Sequence, residues 1–135
     1  MKFRNLTILV CIVLTMSLYS CSQGSSSFEK IIGSWKVVDY EADMKDLSPS
    51  LIASAKELAL KATYEFKKDS TFTSKGFRNI NGTWSVKDGS IIMKFSSEYE
   101  RNAHEGYEIQ KLNSKEMVWF SKSELGTEKT ILSKK

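Results

Sequence analysis

The segment from Gly82 to Phe95 constrains this chain more than any other. Gly82-Thr83-Trp84-Ser85-Val86 and Ile91-Ile92-Met93-Lys94-Phe95 flank an Asp88-Gly89 pair. Asp-Gly between alternating segments is a strong hairpin signal, because a tight two-residue turn requires positive φ. Alternation places Gly82, Trp84 and Val86 on one face and Ile91, Met93 and Phe95 on its continuation, with Lys87 and Lys94 opposite. One such hairpin is marginal in water, so its apolar face requires further strands.

The rest of the chain supplies them. Gly33 to Tyr40, with Trp35, Val37, Val38 and Tyr40, reads as a first strand. Tyr64-Glu65-Phe66 and Thr71-Phe72-Thr73 flank a polar turn at 67–70, and Tyr107 to Leu112 and Met117 to Phe120 flank Asn113-Ser114. Tyr107 and Ile109 share a face, with Glu108 opposite. A last strand, Thr127 to Leu132, follows Gly126. One segment differs. Ser48 and Pro49 form a helix start, and Leu51, Ile52, Ala55, Leu58, Ala59 and Ala62 recur at helical spacing. The fold expected is mainly β: about eight antiparallel strands in up-and-down order, closed into a barrel, with one capping α-helix between the first and second strands. A sandwich is the alternative, but it usually needs long crossovers. The helix is expected to pack on the barrel; a lid that moves to admit ligand is the other reading.

The N-terminus carries an address. Lys2 and Arg4 precede an apolar stretch from Leu6 to Tyr19 and then Leu18-Tyr19-Ser20-Cys21. The stretch falls short of the roughly 20 residues of a membrane span. The basic-apolar-small order is that of an export signal, and the tetrad resembles the lipobox of a bacterial lipoprotein. The resemblance implies cleavage before Cys21, acylation of that cysteine and attachment to the membrane through it. Residues 1–20 are then a leader, 21–29 the lipidated cysteine with a flexible Ser/Gly tether, and 30–135 the barrel domain. Ser22, not aspartate, follows the cysteine, which favours the outer membrane, on its periplasmic face.

Loss of that leader removes two basic and no acidic residues, lowering the formal net charge from +4 to +2. So small a charge gives no basis for nucleic-acid binding. Cys11 lies in the leader and Cys21 would be acylated, so no thiol remains for a disulfide or metal. The length suits one small domain.

Gly33-Ser34-Trp35, the Phe66-to-Phe72 hairpin and Gly82-Thr83-Trp84 running into Asp88-Gly89 form an ordered set. Together they resemble the lipocalin-like domain family of small bacterial envelope lipoproteins over roughly residues 31–132, with Gly33, Trp35, Gly82 and Trp84 as signature. The resemblance implies an eight-stranded calyx with an apolar ligand in its mouth and Trp35 closing its floor. In lipocalins a late-strand arginine packs on that tryptophan. Here Arg78 and Arg101 lie in mid-chain loops, and Lys129 is the nearest late-strand cation.

The candidate ligand-binding residues are Trp35, Tyr64, Phe66, Phe72, Trp84, Val86, Ile91, Met93, Phe95, Tyr107 and Ile109. They suit a fatty-acyl, sterol-like or other apolar ligand, or they simply fill the barrel. No catalytic set appears: there is no Gly-x-Ser-x-Gly elbow, phosphate loop or Cys/His pair after processing. Asp39 and Glu41 read as surface charge. His104, with Glu98, Glu100 and Glu105, reads as a solvated loop, and no metal or cofactor is expected. The expected function is non-enzymatic: binding or carrying a small apolar ligand in the cell envelope. The alternative is a packed interaction module that binds an envelope protein, with Gly76-Phe77-Arg78-Asn79 as a contact loop.

Overall fold

In a computed structural model, residues 23–76, 79–96 and 104–135 are described. Helix α1 (Gln23–Ile31) leads into β1 (Gly33–Met44) and then α2 (Pro49–Ala59). Seven more strands follow: β2 (Thr63–Phe66), β3 (Thr71–Lys75), β4 (Ile80–Lys87), β5 (Ser90–Phe95), β6 (His104–Leu112), β7 (Glu116–Ser123) and β8 (Gly126–Lys134). They close into a barrel in sequence order, every neighbouring pair antiparallel, with β8 returning to β1. The expected up-and-down barrel with a helix between its first two strands is the observed fold.

The central hairpin forms as its sequence predicts. Val86 pairs with Ile91 and Lys87 with Ser90, and Asp88 and Gly89 take φ of 51° and 73°, the left-handed pair of a tight turn. The β5–β6 connection is shorter than expected. His104 and Glu105 already belong to β6, paired with Lys94 and Met93, so they are strand residues and not the end of a polar loop. Glu98, Glu100, Phe77, Arg78 and Arg101 lie outside the described residues, as does the whole leader with Cys21.

Connectivity gives the barrel two unlike ends. One end gathers α1, the tight turns after β2, β4 and β6, and the C-terminus. The other gathers the end of β1, α2, the β7–β8 turn and the remaining connections. The first end is sealed. Trp35, Phe66, Phe72, Trp84, Ile91, Met93, Met117 and Leu132 are buried there and in the barrel's middle.

Helix α1 occupies part of the stretch expected to be a flexible tether. Phe28 and Ile31 explain it. Phe28 stacks on Trp84, with ring centroids 4.5 Å apart and planes 9° from parallel, and Ile31 is fully buried. Tertiary packing of two apolar side chains, three residues apart, holds a helix that its serine-rich composition would not form alone.

Helix α2 starts as predicted, with Pro49 in its first turn and Ser48 Oγ accepting from the Leu51 N–H at 3.4 Å. It stops at Ala59, before the expected Ala62, because the chain turns there to join the sheet: the Val37 N–H donates to the Ala62 carbonyl. Of β1, only Gly33 to Lys36 pair with β2, and α2 packs along the rest of β1. None of its residues is fully buried. Ala59, with neighbouring Leu60 and Ala62, reaches the core, while Leu51 stays exposed. Lys56 ties the helix to Asp39 at 2.7 Å on the outer face, and Lys129 pairs with Glu41 at 3.6 Å. Asp39 and Glu41 are surface charges, as expected.

Candidate functional site

The closed end is built around two indoles. Trp35 donates its Nε1–H to the Ile31 carbonyl at 2.7 Å, and Trp84 donates to the Lys67 carbonyl at 3.1 Å. Burying an indole without such a partner would leave its N–H unsatisfied. The Lys134 ammonium lies 5.2 Å from the Trp35 ring centroid and donates to the Lys30 carbonyl at 3.1 Å. This corrects the expectation that Lys129 is the nearest late-strand cation. Lys134 is the direct cross-strand partner of Trp35, whereas Lys129 points outward to Glu41. A cation over the face of an indole is attracted by its quadrupole.

Of the eleven candidate binding residues, Trp35, Phe66, Phe72, Trp84, Ile91 and Met93 are buried to 2% exposure or less. Tyr64, Val86, Phe95, Tyr107 and Ile109 are half-buried against them. All eleven face the interior, and the half-buried ones are spread along it: Val86 and Ile109 flank the Asp88-Gly89 turn at the closed end, whereas Phe95 ends β5 towards the open end.

The interior also contains residues that alternation in the sequence did not single out. Trp119 is buried, with Tyr107 stacked on it at 4.9 Å and Tyr64 edge-on at 5.2 Å. Its run, Met117-Val118-Trp119-Phe120, is apolar throughout, so no alternation marks the inward face. On β8 the inward residues are Glu128, Thr130 and Leu132; Leu132 and Thr130 are buried, and Glu128 continues their face. On β1 the register shifts between Val37 and Asp39, a bulge that turns Val38 outward and brings Tyr40 opposite Thr130.

These residues form a polar wall above the aromatic floor. Tyr40 donates its hydroxyl to Glu128 Oε1 at 2.5 Å, and Ser121 donates to Oε2 at 3.2 Å. Tyr40, Ser121 and Glu128 are all half-buried. Burial, then the hydrogen bond to Glu128, then its negative charge push the Tyr40 phenol well above the ordinary tyrosine range. The sign for stability follows. Above pH about 10 the unfolded tyrosine loses its proton while the folded one keeps it, so stability falls as pH rises. Alkaline titration followed by tyrosinate absorbance should show one phenol ionising only with unfolding. Tyr40→Phe should remove that transition and flatten the alkaline slope; an unchanged slope would refute the assignment.

Hollows formed by described residues lie along the outer surface. One of 180 Å³ lies by Ser34, Thr73 and Lys75, and one of 540 Å³ lies across β5 to β7 by Ile92, Glu108 and Phe120. Most of their lining residues point outward, with inward-facing Tyr64 at the edge of the first and Ser121 at the edge of the second. Among the described residues, no group of three or more His, Cys, Asp or Glu is placed to hold a metal ion.

A lipocalin-like domain model matches residues 31–119. This chain belongs to the lipocalin-like domain family. Two solved structures share the lipocalin-like fold. A lipocalin-like protein from Bacteroides uniformis is 15% identical, with a TM-score of 0.54 over 78% of this chain and 99% of that one. An uncharacterized protein from Bacteroides eggerthii is also 15% identical, with a TM-score of 0.53 over 77% of this chain and 98% of that one. No curated protein matches. The lipocalin-like barrel is in general a non-catalytic binding fold, so the chain carries a binding-type module.

Proposed function

We propose that this protein is a lipid-anchored envelope lipoprotein whose barrel binds or carries a small, largely apolar ligand, and that it is not an enzyme. The observation that carries the reading is the aromatic make-up of an incompletely filled interior. Trp35, Phe66, Phe72 and Trp84 are buried, while Tyr64, Tyr107 and Phe95 on the same inward face remain partly accessible. An aromatic, concave and partly open surface with a few convergent polar groups is the usual make-up of a small-molecule site. Anchoring through acylated Cys21, on the periplasmic face of the outer membrane, is supported by the lipobox-like Leu18-Tyr19-Ser20-Cys21 and its basic-apolar leader.

Native mass spectrometry of the purified protein, before and after organic extraction, tests the binding. A discrete extractable mass that rebinds is the expected result. Absence of saturable uptake from an envelope lipid extract would overturn it. That outcome would favour the second reading, an interaction module for an envelope protein. Its support is the exposure of Leu47, Leu51 and Leu125, at 46%, 56% and 67%, around the open end.

A further inference from the structure

Glu128 is an acidic group set into the wall of an otherwise aromatic cup. Two hydroxyl donors, from Tyr40 and Ser121, fix one oxygen each. An ionised carboxylate offers roughly four acceptor positions, so this pair leaves about half its capacity unused. The side chain is only half-buried, so an incoming group can reach it. No salt bridge neutralises it among the described residues; its neighbour Lys129 turns outward to Glu41. On the same interior, half-buried Tyr64 and Tyr107 pack over a buried Trp119, and their rings attract cations as well as apolar groups.

A fixed, partly desolvated negative charge is a selective element. A second carboxylate brought beside it would be repelled and would lose its own hydration. A protonated amine would gain a charge-assisted hydrogen bond on an acceptor already held in place. We propose that the cup selects its ligand by head group: a protonated amine seats on Glu128, the apolar body lies over Tyr64 and Tyr107, and fatty carboxylates are disfavoured. This deepens the apolar-binding reading and rests on it.

The test is calorimetric titration of the whole protein with decylamine, decanol and decanoate, which share one tail. Decylamine should bind about tenfold or more tighter than decanoate, the scale expected of a hydrogen bond to a charged group. In Glu128→Gln that difference should shrink to about twofold. Glu41→Gln removes a carboxylate from the outer face instead and should retain the preference, which separates the Glu128 charge from negative charge in general. Equal binding of all three probes, or a preference untouched by Glu128→Gln, would overturn the head-group proposal and leave apolar binding standing. Failure of all three to saturate would remove both.

Discussion

Trp35→Ala should lower folding stability by about 3–5 kcal/mol, the cost of truncating a large buried aromatic. Trp35 is fully buried where β1 meets β8 and α1. Its loss removes the ring beneath Lys134 and the donor to the Ile31 carbonyl together. Trp35→Phe keeps much of the apolar volume and loses the donor, so it should cost less, about 1–3 kcal/mol for the unsatisfied carbonyl. Urea denaturation of the three proteins measures both differences. A loss below about 1 kcal/mol for the alanine variant would mean that the closed end does not depend on this residue. Limited proteolysis gives a second readout, because the indole helps hold the C-terminal end of α1, and cleavage near Ile31 should accelerate in Trp35→Ala.

Gly82→Ala should be among the most damaging single-methyl changes in the barrel. A Cβ at Gly82 would lie 1.9 Å from the Lys94 carbonyl oxygen and 2.8 Å from Phe72 Cε1. The first contact is with backbone, which cannot swing aside, so strands β4 and β5 would have to part. The loss should exceed the about 1–3 kcal/mol of ordinary overpacking or prevent folding. Gly106→Ala is the matched control. Its Cβ would meet nothing within 4 Å, and in an exposed strand position it should be neutral or slightly stabilising. Equal melting temperatures for the two variants would show that β4 and β5 are not packed as described.

The part of the fold written in two-residue alternation was legible in the sequence. Trp84, Val86, Ile91, Met93 and Phe95 were placed inward because their neighbours Ser85, Lys87 and Lys94 were polar, and the Asp88-Gly89 turn fixed their register. What remained hidden did so for definite reasons. Trp119 sits in a run with no polar partner residue to mark its outer face. Tyr40 reaches the interior only after a bulge that period-two counting does not see. Glu128 and Thr130 face inward while Ile131 faces out, reversing the apolar-inside rule near the open end, where the interior meets water. Lys134 fell just beyond the expected end of its strand. Helix α1 depends on two apolar side chains, and the Trp84 ring on which Phe28 stacks is distant in sequence.

Under the proposed anchoring at Cys21, helix α1 would also set the orientation of the whole cup. It begins at Gln23, with Ser22 alone between it and Cys21, and its nine residues span about 13 Å along the closed end. If Cys21 carries the acyl anchor, the barrel stands on its base: the sealed floor is held next to the bilayer and the mouth looks into the aqueous compartment. A molecule leaving the membrane would then have no direct path through the floor and would have to cross water or be handed over to enter. Such a receptacle is placed to collect from, or deliver to, whatever lies opposite the membrane.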